Sequence, residues 1–241
     1  MKAPLRIATW NFLAGGSARR KAHWRLVREA LRPDLLLAQE SRPGRGRAAL
    51  QRTAQWAEAK RGWGTGLFAP RLVVRPIAVA GFEAWVVGGQ LATSLAPPRP
   101  TCVFSIHCPQ GAHGYVRTMH EILDRIRAAT RGADLILGGD LNVAVGVRAP
   151  GDAVGMSKRE RALLERLLEK EALLPCWQTA HPGEPLAQTL RWSGDRAAPY
   201  HCDGLFIPAA WRERLLSCEV LSGPEWDALS DHNPVVAVLR R

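Results

Sequence analysis

Six short clusters of polar residues lie along this chain, each beside a short apolar run. The cluster at 138–142 reads GGDLN and places a carboxylate and an amide two residues apart, directly after the apolar run 135–137. A carboxylate can take a proton from water, and an amide can orient that water or a phosphate group. The other clusters are Trp10-Asn11, Gln39-Glu40, His107, Tyr200-His201-Cys202-Asp203 and Ser230-Asp231-His232.

The polar clusters can act together only if strands carry them to a common place. Residues 5–10 alternate in hydrophobicity, as in a strand with one buried face. Residues 35–38 are continuously apolar, as in a strand buried on both faces. Between them, Ser17 is expected to cap a helix, which Pro33 ends. Its predicted apolar face consists of Trp24, Val27, Ala30 and Leu31. This strand–helix–strand order predicts a βαβ unit.

The rest of the chain also mixes both types of element. A second helix is predicted over about Arg47–Lys60, with Leu50, Ala54 and Ala57 inward. Apolar periodicity predicts another from Tyr115 onward, and a capping box at Ser157 and Glu160 predicts a third. Short strands are predicted at 67–68, 72–79, 82–89, 101–107, 202–207, 215–221 and 234–239. We therefore expect one α/β domain over residues 1–241.

Composition narrows the class of protein. The chain is 46% hydrophobic and 23% charged, as in ordinary globular proteins. Its apolar runs are too short to span a bilayer, and residues 1–7 lack the apolar core of a signal peptide, so we expect a cytoplasmic monomer without a membrane partner. The five cysteines have no zinc-site spacing, which predicts small buried thiols.

The formal net charge of +11 favours a polyanionic partner such as nucleic acid. Much of this charge is arginine, so compositional bias explains it equally well. Several basic residues follow Glu40 and could track a phosphate backbone, although a solvated surface accounts for them as readily. They are Arg42, Arg45, Arg47, Arg52, Lys60 and Arg61.

The ordered set of clusters resembles the endonuclease/exonuclease/phosphatase superfamily, which includes exonuclease III-type repair enzymes and pancreatic deoxyribonuclease. The matching motifs are Trp10-Asn11, Gln39-Glu40, Gly139-Asp140-Leu141-Asn142, Thr189-Leu190-Arg191-Trp192 and Ser230-Asp231-His232. Each motif is weak alone, but their order along nearly the whole chain is specific. The resemblance implies a four-layer α/β sandwich, with two facing mixed β-sheets and helices outside.

The resemblance also implies roles in phosphodiester hydrolysis. Asp140 would activate the attacking water and Asn142 would hold that water or the phosphate. His232, paired with Asp203, would face the phosphoryl oxygen as an imidazolium, and His107 would donate to another oxygen. Asn11 would bind the phosphate or the groups around the metal.

A metal site and a substrate site follow from the same resemblance. Glu40 would hold Mg²⁺, or Mn²⁺ in its place, because both ions prefer oxygen ligands. Asp231 and Asn11 would support that site. The residues expected to contact the substrate are His113, Arg42, Trp192, Tyr200 and His201.

Three functions are compatible with these residues. The first is a Mg²⁺-dependent DNA endonuclease or exonuclease, which the basic charge and the segment Gln39–Arg42 favour. The second is a phosphatase or phosphodiesterase for a small phosphorylated metabolite or lipid head group. It gains support because Leu13 stands where repair nucleases usually carry an acidic residue. The third, a non-catalytic nucleic-acid-binding module, is disfavoured because every core polar position holds a competent residue.

Overall fold

Two six-stranded sheets form the centre of the protein. The structure is a computed structural model that describes residues 3–14, 17–43, 53–144, 156–193 and 200–241. In spatial order, the first sheet consists of β11 (Leu215–Val220), β12 (Val235–Leu239), β1 (Leu5–Asn11), β2 (Leu35–Ser41), β4 (Trp63–Ala69) and β3 (Thr53–Lys60). The second sheet consists of β5 (Val74–Pro76), β6 (Val86–Leu91), β7 (Thr101–His107), β8 (Asp134–Asp140), β10 (Asp203–Pro208) and β9 (Leu173–Pro175).

Helices flank the two sheets. They are α1 (Ser17–Leu26), α2 (Tyr115–Ala129), α3 (Lys158–Glu165), α4 (Cys176–Ala180) and α5 (Pro224–Asp227). α1 and α3 each continue into a π-helical turn, and a 3₁₀ helix spans Ala209–Arg214. The expected α/β sandwich of two mixed sheets flanked by helices is confirmed.

Three apolar clusters hold these layers together. Side chains from both sheets, such as Leu37 and Ile136, form the central cluster. A second packs α2 and α3 on the second sheet, and a third packs Trp24 of α1 on the first sheet. Because β2 and β8 are covered on both sides, almost every residue in them is buried. This explains why both read as continuous apolar runs.

Parallel pairing brings the polar strand ends to one edge of each sheet. β1 pairs in parallel with β2, and β7 pairs in parallel with β8. The carboxyl ends of parallel neighbours lie side by side, where α/β proteins form their sites. Between the sheets, Gln39 Nε2 donates a 3.0 Å hydrogen bond to Ser105 Oγ. The two edges are therefore joined close to the ends of β2 and β7.

The structure corrects two sequence-based predictions. The predicted helix over Arg47–Lys60 is wrong, because residues 53–60 form the edge strand β3, antiparallel to β4; residues 47–52 lie outside the described part. On α1 and its π-helical turn, Ala30 is exposed and Leu26 is buried in its place. The change from α to π geometry rotates the final turn and so moves the buried stripe.

Most of the remaining elements agree with the sequence. β7 has the predicted bounds, and the capping box at Ser157 is formed in both directions. The predicted run 82–89 contains a turn before β6 begins at Val86. All five cysteines are buried and free, as predicted. Among the described residues, we find no helix with the length and apolar character that crossing a membrane requires.

Candidate active site

Three strands of the second sheet carry a row of polar side chains at its edge. His107 ends β7 and lies opposite Asp140 at the end of β8, which in turn lies opposite Asp203 at the start of β10. The two glycines before Asp140 permit this arrangement. A Cβ on Gly139 would lie 1.8 Å from the carbonyl oxygen of Ile106, and its φ of +147° disfavours other residues.

The first sheet contributes Asn11 and Glu40. Glu40 lies within a register irregularity between β2 and β4, which spans Ala38 to Ser41, and it has a φ of +46°, in the left-handed region that non-glycine residues seldom occupy. Such irregularities commonly re-aim a side chain beside a site. Asn142 is also left-handed, at +54°. Strain of this kind at two neighbouring polar positions is typical of functional sites.

The amide of Asn11 joins the two sheets at the site. Its Nδ2 donates to Asp140 Oδ2 at 3.0 Å and to Glu40 Oε1 at 3.3 Å. Its Oδ1 accepts a hydrogen bond from the backbone nitrogen of Leu13. One amide nitrogen therefore holds two carboxylates from different sheets around the same small space.

Asp140 is fully enclosed. Its Oδ1 accepts a 3.0 Å hydrogen bond from the backbone nitrogen of Asn142, while its Oδ2 lies 3.8 Å from His107 Nε2 and 3.9 Å from His232 Nε2. Burial raises the pKa of Asp140, and the positive charge of His232 opposes that rise. The side-chain nitrogen of Asn142, Nδ2, donates to the carbonyl of Cys108. This bond fixes the loop after β8 to the residue that follows β7.

His232 and Asp203 form a buried ion pair. His232 Nδ1 lies 2.8 Å from Asp203 Oδ2. Burial lowers the pKa of His232, but Asp203 and Asp140 outweigh that effect and raise the pKa to about 10. His232 is therefore an imidazolium at neutral pH. Its Nε2 faces Asp140 and lies 3.9 Å from Asp231 Oδ1.

His107 has a different environment. Its Nε2 lies 4.0 Å from Glu40 Oε1, and the rings of Trp63 and Trp85 pack at 5.6 Å and 5.4 Å from the imidazole. Its Nδ1 is buried without a hydrogen-bond partner among the described residues. Burial lowers the pKa of His107, and the carboxylates of Asp140 and Glu40 oppose this shift. Trp63 and Trp85 thus pack against the imidazole that contacts the two carboxylates.

A cleft of about 390 Å³ opens beside these groups. Of the predicted substrate residues, it is lined by Trp192, Tyr200 and His201. Trp192 is 51% exposed and meets Tyr200 edge to face at 6.1 Å. His201 is buried and its Nδ1 contacts the carbonyl oxygen of Ala187 at 2.5 Å. Asn142 lies at the boundary between this cleft and the groups described above.

The other two predicted substrate residues, His113 and Arg42, do not line this cleft. Exposed His113 lines an adjoining cleft of about 800 Å³, which shares Asn142 and Tyr115 with the first. Arg42 is exposed and borders a small depression with Glu40 and Trp63. Three further predicted basic residues lie outside the described residues: Arg45, Arg47 and Arg52.

The donor atoms fit a hard divalent cation at Glu40. Glu40 Oε1 and Asp140 Oδ2 converge on one amide, and Asp231 Oδ1 is a buried acceptor with no hydrogen-bond donor in the described ranges. Carboxylate oxygens of this kind suit Mg²⁺ or Mn²⁺. Asp140, Cys202 and His232 also approach within 4.8 Å of one another. A softer site there is disfavoured, because His232 is protonated and burial raises the pKa of Cys202.

Thr189 and Ser230 support the site through contacts that the sequence does not indicate. Thr189 Oγ1 accepts hydrogen bonds from the backbone nitrogens of Cys202 and Asp203, at 3.1 Å each. Ser230 Oγ donates to the carbonyl of Asn11 and accepts from the backbone nitrogen of His232. Thr189 belongs to the Thr-x-x-Trp motif and Ser230 to the Ser-Asp-His motif, but their spacing in sequence does not show which distant backbone groups they bind.

Comparison with solved structures identifies the fold. An AP endonuclease from Leishmania major superposes with a TM-score of 0.72 at 19% identity, covering 99% of this chain and 88% of that chain. A 3′ phosphatase from Neisseria, bound to product DNA hairpin, gives 0.70 at 19% identity, with 98% and 100% covered. An AP endonuclease from Archaeoglobus fulgidus gives 0.69 at 20% identity, with 98% and 99% covered.

The chain therefore has the fold of AP endonucleases and of the 3′ phosphatase, over nearly its whole described length. No protein-family model matches the sequence, and no curated protein does.

Proposed function

We propose that this protein is a divalent-metal-dependent phosphodiesterase that hydrolyses DNA. The observation that carries the proposal is the convergence of Asn11, Glu40, Asp140 and His232 on one enclosed space, with His232 charged by its bond to Asp203. A phosphodiester is anionic and resists attack by water. A centre that hydrolyses it needs positive charge, a positioned water and a proton acceptor.

Each residue then has a specific task. Asp140 takes the proton of the attacking water, for which the raised pKa suits it better than an ordinary carboxylate. The imidazolium of His232 donates through Nε2 to a non-bridging phosphoryl oxygen. His107 donates to a second oxygen, and Asn11 orients both carboxylates. Glu40, with Asp231 in support, would hold a divalent cation, which would supply further positive charge against the phosphate.

Several observations support DNA as the substrate. The similar structures are two AP endonucleases and a 3′ phosphatase with bound DNA. The two adjoining clefts together extend well beyond one small phosphoester, and the larger is bordered by His113, Arg117 and Arg159. With a net charge of +11, the surface can bind a phosphate backbone.

A small phosphoester is the second candidate. The 390 Å³ cleft is partly enclosed by Leu190, Trp192 and Tyr200. One aromatic or sugar group attached to a phosphate would fill it without any extended contact to a nucleic-acid backbone.

A cleavage assay tests the proposal. Labelled duplexes that are intact, carry one abasic-site analogue, or end in a 3′ phosphate are incubated with Mg²⁺, and Asp140→Asn protein serves as the matched blank. Hydrolysis by the unaltered protein only, weakening steeply with added salt, supports a DNA enzyme. Failure of the folded protein to cut any of the three excludes it. Release of phosphate from small phosphoesters would then establish the second candidate.

A further inference from the structure

The segment Thr189–Trp192 runs between the two chain segments that carry the buried ion pair. On one side, the backbone nitrogens of Thr189 and Leu190 donate to the carbonyl of Tyr200, at 2.8 Å and 3.2 Å. On the other, the backbone nitrogen of Arg191 donates to the carbonyl of Asp231 at 2.8 Å, and the backbone nitrogen of Asn233 donates to the carbonyl of Thr189 at 2.7 Å. The segment therefore joins residues 200–203 to residues 230–233.

Side chains alternate along this segment, as in an extended strand. Leu190 and Trp192 line the 390 Å³ cleft. Thr189 is fully buried and fixes the backbone at Asp203, while Arg191 is only 8% exposed. One set of side chains thus contacts the cleft, and the other contacts the elements that carry Asp203 and His232.

The guanidinium of Arg191 holds both ends of the loop that contains His232. Its Nη2 donates to the carbonyl of Ser230 at 2.6 Å, and its Nη1 donates to Asn233 Oδ1. Nη1 also lies 3.1 Å from Asp227 Oδ1, at the end of α5. A rigid planar fork that bonds residues on both sides of His232 limits how far that histidine can move.

We propose that Arg191 is a positioning residue that keeps His232 aligned with Asp203 and with the space above Asp140. This rests on the proposed function, since His232 acts there on the phosphate. Arg191 itself touches none of the reacting groups. Its contribution is to hold the loop at residues 230–233 against the segment that also fixes Asp203 through Thr189.

The test compares two neighbouring substitutions on the same segment. Arg191→Met removes the fork, whereas Trp192→Ala shortens a side chain that faces the cleft. For Arg191→Met we expect kcat to fall about 10²-fold with KM little changed, because a displacement near 1 Å has that effect. For Trp192→Ala we expect the reverse, a higher KM with kcat retained.

A second readout does not depend on activity. The Nδ1 proton of His232, bonded to Asp203, should give a low-field NMR resonance. That resonance should broaden or vanish in Arg191→Met and persist in Trp192→Ala. Arg191→Met protein that retains both kcat and the resonance would overturn the proposal.

Two further outcomes are also decisive. If Arg191→Met does not fold, Arg191→Lys replaces it: a lower kcat at an unchanged melting temperature supports positioning, and an unchanged kcat refutes it. If the unaltered protein hydrolyses no phosphodiester, the proposed function fails. The resonance then still shows whether Arg191 aligns the pair.

Discussion

A 2.8 Å hydrogen bond between Asp203 Oδ2 and His232 Nδ1 joins the second sheet to the segment that leads into the last strand of the first sheet. Asp203 begins β10 in the second sheet, whereas His232 lies just before β12 in the first. Both residues are buried, so their opposite charges are weakly screened. The pair therefore fixes the orientation of His232 and keeps it charged.

Asp203→Asn should impair activity while the fold persists. Without the carboxylate the pKa of His232 falls from about 10, because the largest effect raising it is removed. We expect kcat to drop about 10²- to 10⁴-fold, as when a proton-transfer group is lost. The basic limb of the pH–rate profile should also move to lower pH. Asp124→Asn, at an exposed carboxylate away from the site, is the control, and an effect of Asp203→Asn no larger than that of the control would contradict the assignment.

Glu40→Gln should weaken metal binding. EDTA should silence the unaltered protein, and Mg²⁺ or Mn²⁺ should restore it. A neutral amide binds these ions less well than a carboxylate, so the variant should require a higher Mg²⁺ concentration for half-maximal activity. Isothermal titration with Mg²⁺ measures the affinity directly. Equal affinities in both proteins would remove Glu40 from the metal site, and restoration by Zn²⁺ alone would contradict the choice of metal.

His201 should make stability depend on pH. Burial lowers its pKa to about 4, from an ordinary value of 6.5, although its bond to the Ala187 carbonyl opposes the shift. Between these pH values the unfolded chain binds more protons than the folded protein does. The free energy of unfolding therefore falls as pH falls through this window.

The matching substitution is His201→Asn, which cannot titrate there. Urea unfolding at pH 7 and pH 5 should show about 2 kcal/mol less acid destabilisation in the variant. Exposed His113→Asn is the control and should keep the full pH dependence. Identical pH dependence in the unaltered protein and His201→Asn would show that His201 is not buried in its neutral form.

Glu171 should matter for stability and not for chemistry. Its carboxylate is almost completely buried and pairs with Arg127 at 2.6 Å and Arg166 at 3.0 Å, joining α2 to the turn after α3. Glu171→Ala leaves two guanidinium groups without this partner, so we expect a loss of about 3–5 kcal/mol. Asp124→Asn removes an exposed partner of Arg166 and should cost less than about 1 kcal/mol.

Chemical denaturation measures both effects. Activity per folded molecule should stay the same in both variants, because Glu171 lies by the amino-terminal end of β8, whereas Asp140 ends that strand. A Glu171→Ala protein as stable as Asp124→Asn would show that the buried pairing adds little to the fold.

The sequence predicted the strand ends well, for a physical reason. Runs such as 35–38 and 135–137 are apolar because both faces of β2 and β8 are packed against other layers. The polar residues that follow these runs therefore indicate the ends of the strands. The structure brings Asn11, Glu40 and Asp140 together at those ends. Parallel pairing explains why Asn11 and Glu40 lie side by side in the first sheet, but Asp140 joins them only because the second sheet packs against the first, which local sequence does not show.

β3 shows where local sequence misleads. Its residues are rich in Ala, Glu and Lys, which favour helix. Pairing with β4 along nearly the whole strand, and packing of Trp56 against the cluster of Trp24 and Phe68, outweigh that preference. The role of Arg191 could not be predicted for a related reason, because its partners Ser230 and Asn233 lie 39 and 42 positions away in sequence.

The pairing of β1 with β12 has a consequence for synthesis of the protein. Asn11 ends the first strand, while His232 lies three residues before the strand that pairs beside it. Chains emerge from the ribosome amino terminus first. Asn11 and Glu40 are therefore synthesised long before His232, and β1 has no antiparallel partner on its β12 side until the end of synthesis. The polar centre remains incomplete on the ribosome until β12 has emerged.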